Sequence, residues 1–359
     1  MKLLVTGAAG FIGSTFLRLV RERHPDWDLV VLDALTYAGN LSTLKDVAPV
    51  QDREDQRRRR IFLDAQGRAL HFYHGQIQDP AVVESAILEQ GITHIVNFAA
   101  ESHNDRSMLE TGSFILSNTL GVHVLLEATR KFGIEKMVHV STDEVYGTID
   151  EGQFTEESPL EPNTPYSASK AGGDLQVRAH VKAYRTPAVV TRGGNTYGPF
   201  QFPEKLISFF ATRLIDGKKV PVYGAGDQIR EWIHARDHAA GVLAVLEQGA
   251  CGEIYNIGDV NERRNMEVVQ ILLEETGRDE SLVKRIPDPR QGAHDKRYSM
   301  STSKVRALGW KPEMPFEQEL RNTVRWYVEN EWWWRPLVET DDYKSFIGDY
   351  YGKSLGGDL

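Results

Sequence analysis

The chain has 359 residues, 41% of them hydrophobic and 26% charged, and a net charge of −9. That length exceeds the ~100–200 residues of an ordinary single domain, so it implies one large domain with an appendage or two domains sharing a cleft. The composition excludes a disordered or fibrous chain. The acidic balance, with a pI near 5.7, argues against a nucleic-acid partner, and the absence of any apolar run near the ~18 residues of a membrane span argues against a membrane one.

Residues 1–6, MKLLVT, read as a first strand (Lys2–Thr6) running straight into a glycine turn and not as a leader peptide. The turn is Gly7-Ala-Ala-Gly10-Phe-Ile-Gly13, and a helix is expected over Gly13–Arg23. Glycines between a strand and a helix permit a tight turn and close backbone approach, so that the helix N-terminus can hold a pyrophosphate. A second strand, Leu29–Asp33, ends on a carboxylate roughly 20 residues beyond the last glycine, where it would accept adenosine ribose hydroxyls and repel a 2′-phosphate. With Ala34 and no Arg or Lys beside it, NAD is expected over NADP; the plainer alternative for Asp33 is a turn cap.

Residues 46–68 are polar and charge-dense and read as an exposed insertion. Its basic run, Arg57 to Arg60, stands beside Asp52, Glu54 and Asp55 and reads as a solvated loop. Strands are then expected at Leu70–His74, His94–Phe98, Lys136–Ser141 and Ala188–Arg192, with crossover helices at Pro80–Gln90, Leu116–Phe132 and Ser167–Tyr184. Such alternation gives an α/β fold, a Rossmann-like doubly wound parallel sheet. After Gly198 the texture becomes mixed, so residues 1–192 are read as the NAD-binding domain carrying the catalytic groups. Residues 193–359 are read as a smaller mixed α/β C-terminal substrate domain with segments returning to the first.

Tyr166-Ser-Ala-Ser-Lys170 puts a phenol and an ammonium at i and i+4, on one helical face. A nearby cation favours tyrosinate and lowers a phenol's pKa, which makes Tyr166 a candidate base for a sugar hydroxyl. Asp143 and Glu144 follow Ser141-Thr142 at the end of a strand, where two carboxyls can serve as acid and base; the bland alternative is a solvated strand end. The lone Cys251 cannot form an internal disulfide, which fits a cytoplasmic enzyme. The aromatic run Trp332–Trp334 reads as packing for a core or a subunit contact. His103, His234 and His294 lack metal-ligand spacing, so no metal is expected.

The glycine motif, Tyr166 and Lys170 resemble the extended short-chain dehydrogenase/reductases, NAD-using nucleotide-sugar enzymes. The chain is similar to the dTDP-glucose 4,6-dehydratases among them, through Asp33-x-Leu-Thr-Tyr-Ala-Gly-Asn40, Ala99-Ala-Glu-Ser-His103, Ser141-Thr-Asp-Glu-Val-Tyr-Gly147 and Asn195-x-Tyr-Gly-Pro199. Pro203-Glu-Lys-Leu206 and Arg230 also fit. The resemblance implies a cycle in which Tyr166 takes the 4-hydroxyl proton, Thr142 holds that hydroxyl, Glu144 takes the C5 proton and Asp143 protonates the departing 6-hydroxyl. It implies cofactor contacts at Gly7, Gly10, Phe11, Ile12, Gly13, Asp33, Leu35 and Thr36. Further cofactor contacts are implied at Gln76, Ile77, Ala99, Ala100, Ser102, Tyr166, Lys170 and Thr196. A nucleotide-diphosphate sugar would meet Ser102, Thr142, Asn195, Lys205, Leu206, Tyr223, Arg230, Asn265, Arg290 and Arg297, and the family implies a homodimer through the helix carrying Tyr166.

Five features depart from the family pattern: Gln76 for an aspartate, Gly193-Gly194 for a Cys/Ser-Asn pair, Asn104 for an apolar residue, the polar insertion near residues 46–68, and an extra residue near Ala293. A UDP-linked or amino-sugar dehydratase and a nucleotide-sugar 4-epimerase are the alternatives, the epimerase having no evident need of Asp143 and Glu144. A silent NAD-binding scaffold is the alternative from another class.

Overall fold

The computed structural model describes residues 1–48, 53–54, 59–64, 66–290 and 297–356. Within these, seven parallel strands form the centre of the molecule, in the order Ile254–Ile257, Ala188–Gly193, Lys136–Thr142, His94–Asn97, Lys2–Thr6, Asp28–Asp33, Ala69–His74. The chain therefore winds outward in one direction from Lys2–Thr6 and then returns to wind the other way from His94–Asn97. The reversal opens a crevice at the carboxyl ends of those two strands, the position where doubly wound sheets bind ligands.

Alternation along the first strand builds both faces. Leu3 and Val5 enter a core shared with the helices Phe11–Arg23 and Ala235–Gln248, while Leu4 enters a second core under Pro80–Gln90 and Val122–Phe132. Both faces of the seven parallel strands are covered, and of the polar side chains they bury, Asn97, His139 and Arg192 are partnered within the sheet and its covering helices.

The segment 46–68 differs from its expectation as an exposed insertion. Arg59–Leu63 pairs antiparallel with Ala69–His74, and Arg53–Glu54 pairs with it in turn, extending the sheet. Phe62 is buried and meets Phe72 edge-on at 6.1 Å. The unpaired edge of Ala69–His74 supplied a template, and one aromatic at the inward register position outweighed the local charge density. Of the basic run, Arg59 and Arg60 lie in this strand, whereas Arg57 and Arg58 lie outside the described residues.

A third core gathers the helices Leu206–Ile215, Asn265–Thr276, Phe316–Glu329, Glu331–Val338 and Asp341–Leu355 around Val220–Tyr223 and Val283–Ile286. Trp333 and Trp334 are buried there, and Trp334 donates to the Tyr327 carbonyl at 2.8 Å, so those two aromatics pack the core; Trp332 is half exposed. Ala235–Gln248 and Ile254–Ile257 return to the first sheet. Among the described residues no helix is long and apolar enough to cross a membrane.

Candidate active site

The crevice is a cavity of about 640 Å³ that reaches from the glycine turn to the third core. At its first end Gly7 adopts φ +68, and a Cβ there would lie 2.5 Å from the Ala99 nitrogen; a Cβ on Gly13 would lie 2.5 Å from the Gly7 carbonyl. Glycine is thus required for the helix to begin flush against the strand end. Gly10 starts the helix Phe11–Arg23 without a side-chain cap, and Gly10, Phe11, Ile12 and Gly13 line the cavity. An uncapped helix N-terminus of this length is a cradle for a pyrophosphate.

Asp33 is buried at the same end and lines the cavity. Its Oδ2 accepts the Ala9 amide and its Oδ1 the Leu35 amide, each at 2.8 Å. Burial pushes the carboxyl up, and the two amides pull it back. Each oxygen keeps a lone pair for a ribose hydroxyl. Thr36, Gln76, Ile77, Ala99, Ala100, Ser102 and Thr196 also line the cavity, and Gln76 accepts from Gln78 at 3.0 Å. Leu35 does not. Its backbone has φ 49 with the amide tied to Asp33, and the side chain packs against the first core.

The chemistry-bearing residues come together on two elements. Lys136–Thr142 ends beside Ala188–Gly193, with Thr142 opposite Gly193, and a 3-10 turn, Asp143–Tyr146, follows. The helix Pro165–Tyr184 starts from Thr164, which accepts the Ser167 amide at 3.1 Å while Ser167 Oγ accepts the Thr164 amide at 3.0 Å. Such a capping box contributes about 1 kcal/mol and fixes where Tyr166 and Lys170 stand. Thr142, Asp143, Glu144, Tyr166 and Lys170 all line the cavity.

The electrostatics differ from the simple phenol-and-cation expectation. Burial, and then the Glu144 carboxylate, push the Tyr166 phenol up, partly offset by a hydrogen bond with Thr142. Lys170 is buried too, donates to the Val140 carbonyl at 2.7 Å, and is pushed down to about 8 by burial against the opposing pull of Asp174. Desolvation outweighs the cation in this closed site, because it disfavours tyrosinate and ammonium alike. Asp174, one turn beyond Lys170, had no signal in the sequence; it is buried and ion-paired with Arg192 at 2.8 Å.

Asp143 is 2% exposed, and burial, followed by Glu144, holds its carboxyl well above the usual range. A carboxyl raised in this way contributes stability that is present below its unfolded value and is lost as pH rises through its folded value. Asp143→Asn, which cannot ionise, should therefore gain melting temperature over the parent as the buffer moves from acid to alkaline. Parallel melting curves across that range would contradict the burial argument.

At the far end, Asn195, Lys205, Leu206, Tyr223, Arg230, Asn265 and Arg290 line the same cavity. The Oδ1 atoms of Asn195 and Asn265 are buried and accept no hydrogen bond among the described residues, a state that is costly unless a ligand donates to them. Arg230 lies over the Tyr298 ring at 4.5 Å, and Lys205 donates to the Ser102 carbonyl. Arg290 donates to Asp105 at 2.8 Å; the same carboxylate accepts from Tyr350 at 2.9 Å and Tyr351 at 3.2 Å.

Arg297 departs from its expected place. It pairs with Glu262 at 2.5 Å and donates to the Gly152 carbonyl at 3.0 Å, away from the cavity, because adjacent residues of an extended segment face opposite ways and its neighbour Tyr298 takes the inward position. Asp105, Tyr298 and Tyr351 were missed. Asp105 stands two residues beyond the Ala99–His103 motif and was within reach, whereas Tyr351 arrives from the terminal helix without a local signal. Gly193 has a steric reason: a Cβ there would overlap the buried His238 ring. Ala293 and His294 lie outside the described residues.

The family model described as GDP-mannose 4,6 dehydratase matches residues 4–323. A dTDP-glucose 4,6-dehydratase from Streptomyces niveus is 43% identical over 354 residues, covering 97% of this chain and 99% of that one. One from Streptomyces griseus is 44% identical over 340 residues, 94% and 97% of the two chains. Among solved structures, a dTDP-glucose 4,6-dehydratase from Streptomyces venezuelae with NAD bound superposes with a TM-score of 0.84 at 45% identity, covering 94% of this chain and all of that one (100%). The Thermus thermophilus UDP-glucose 4-epimerase with NAD gives 0.79 at 28% identity, covering 92% and 100%.

Proposed function

The chain belongs to the GDP-mannose 4,6 dehydratase family, and from that premise we propose that it is an NAD-dependent nucleotide-sugar 4,6-dehydratase that converts dTDP-glucose to its 4-keto-6-deoxy product. The observation that supports this most is the lining of one cavity by a threonine, two adjacent carboxyls, a phenol and a lysine. A 4-epimerase has a use for the phenol and lysine but none for Asp143 and Glu144.

Gly7, Gly10 and Gly13 with the helix start would hold the NAD pyrophosphate, Asp33 the adenosine ribose, and Tyr166 and Lys170 the other ribose. The chemistry that bound NAD supplies is hydride acceptance from C4 and hydride return to C6, with no net redox change. Tyr166 removes the proton of the 4-hydroxyl, which Thr142 steadies; the positive charge of the bound nicotinamide, beside Lys170, would offset the burial that disfavours tyrosinate. The C5 hydrogen is barely acidic until C4 is a ketone, so oxidation precedes elimination. Glu144 then takes the C5 proton as Asp143 gives one to the 6-hydroxyl, and water departs. When C6 is reduced Glu144 returns a proton, exchangeable with solvent, to C5, and the proton held by Tyr166 is released as Asp143 regains one from solvent. Asp143 is suited to donate because burial and the neighbouring Glu144 carboxylate favour its neutral form.

The nucleotide diphosphate would be gripped by Arg230, Arg290 and Lys205, with Asn195 and Asn265 accepting its N–H or hydroxyl groups. Residues 1–192 would carry the cofactor and chemistry, and the remainder chiefly the nucleotide. Mass spectrometry of products from a panel of dTDP-, UDP-, GDP- and CDP-sugars tests the reading. Loss of one water from dTDP-glucose supports it; a C4 epimer, a UDP-sugar preference, or NAD binding without turnover would select the alternatives.

The proposal extends to a cytoplasmic homodimer. Ile115, Leu116 and Leu120 on residues 112–121, and Leu175 and Tyr184 on Pro165–Tyr184, are exposed large apolar side chains on helices that pack together, and a second copy would cover them. Sedimentation at twice the chain mass is the expected result. Leu120→Glu with Leu175→Glu should shift it to a single chain. The lone exposed Cys251 fits a reducing compartment.

A further inference from the structure

Asn104 opens the helix Asn104–Leu109 and lies between the two elements that carry the acid–base groups. It is 7% exposed and lines the cavity. The Thr164 hydroxyl donates to its Oδ1 at 2.7 Å, and its Nδ2 donates to Glu144 Oε2. These two bonds settle the orientation of the amide: the reverse arrangement would set the threonine hydroxyl against an N–H and the carboxylate against a carbonyl oxygen, two acceptors facing each other.

Thr164 is no incidental partner. It caps the helix that bears Tyr166 and Lys170, and its hydroxyl also accepts the Ser167 amide at 3.1 Å. One buried amide therefore joins Glu144, on the turn after Lys136–Thr142, to the start of the Tyr166 helix. Asn104 and Thr164 are buried, so that bond is shielded from bulk water, whereas Glu144 is partly buried and faces the cavity. Oε2 of Glu144 is occupied by the amide, which leaves Oε1 to receive a proton.

We propose that Asn104 is a positioning residue for the elimination step: it anchors Glu144 through Oε2, so that Oε1 meets the C5 hydrogen, and registers that base against the helix holding Tyr166. This rests on the dehydratase reading above. The amide acts through Glu144 and does not bond the Tyr166 phenol, whose helix start is separately held by Ser107 Oγ accepting the Tyr166 amide at 3.2 Å. Its loss should therefore separate the two halves of the cycle, leaving C4 oxidation intact and slowing proton removal from C5.

The test is single-turnover reaction of NAD-loaded enzyme with dTDP-glucose in D₂O, following reduced-nicotinamide absorbance and deuterium entry at C5. Asn104→Leu removes both bonds while keeping the branch at Cγ. Asn104→Asp keeps the acceptor for Thr164, and hence the cap, but removes the donor to Glu144. In both variants the absorbance should rise at the parent rate and then persist, with its decay and C5 labelling slowed by about 10²-fold, the scale of a misplaced reacting group. Parent-like decay in both variants overturns the assignment, and so does an equal slowing of rise and decay in Asn104→Asp accompanied by a lower melting temperature, which would mark a merely structural role. If the parent itself gives neither signal, the functional reading fails and takes this assignment with it.

Discussion

Tyr166→Phe is expected to lower kcat for dTDP-glucose by roughly 10²- to 10⁴-fold, the range lost with a positioned general base. The substitution removes one oxygen from a ring that is already buried and meets Phe114 edge-on at 6.4 Å, so packing is conserved. Every later step needs the C4 ketone, and proton removal from the 4-hydroxyl is the step that creates it. The variant should still bind NAD, weakened only by the loss of one of the two groups on the second ribose, form no reduced cofactor on mixing with substrate, and release no dehydrated product. Fluorescence titration with NAD and stopped-flow absorbance check the two halves of that statement. Normal reduction of NAD would remove Tyr166 from the mechanism, while lost NAD binding would make its role one of cofactor grip.

Glu144→Gln should lower product formation by a comparable factor, roughly 10²- to 10⁴-fold, but with the opposite partition. Glutamine keeps the length of the side chain and an oxygen able to accept from Asn104, so the turn Asp143–Tyr146 should hold its shape. It cannot take a proton from C5. Oxidation at C4 still proceeds because that proton goes to Tyr166, and the site should fill with substrate oxidised at C4 but not dehydrated. Quenching early and weighing the nucleotide sugar reads this directly: a mass two hydrogens below the substrate is expected, and a mass lower by one water would contradict the role given to Glu144. The contrast between Tyr166 and Glu144 matters more than either loss alone, since a general folding defect would depress both steps together.

The fold was legible where periodicity and punctuation agreed. Leu3, Leu4 and Val5 read as a strand buried on both faces, and the glycine turn that follows can serve only a strand handing over to a helix. Phe62 was not legible, because its strand exists through pairing with Ala69–His74 while its neighbours in sequence argue for solvent. The same division runs through the site. Asp143, Glu144, Tyr166 and Lys170 are local patterns on one strand end and one helix face. The Asp105 cluster is assembled from Arg290 and the adjacent Tyr350 and Tyr351, all far from Asp105 in the chain, and only tertiary packing brings them to one carboxylate.

Electrostatics was the least legible layer. Spacing alone suggested that Lys170 lowers the Tyr166 phenol, yet spacing carries no information on burial, and burial sets the sign for both groups. Arg297 illustrates the matching limit for binding residues: charge type pointed to a phosphate, whereas the register of an extended segment gave the inward place to Tyr298.

In the proposed cycle one site oxidises C4, eliminates across C5 and C6, and returns the same hydride. Reaction of dTDP-glucose labelled with deuterium at C4, followed by NMR of the product, tests it most directly. The deuterium is expected in the C6 methyl group of the 4-keto-6-deoxy sugar. An unlabelled methyl group, or deuterium recovered at C4 of an epimerised sugar, would contradict it.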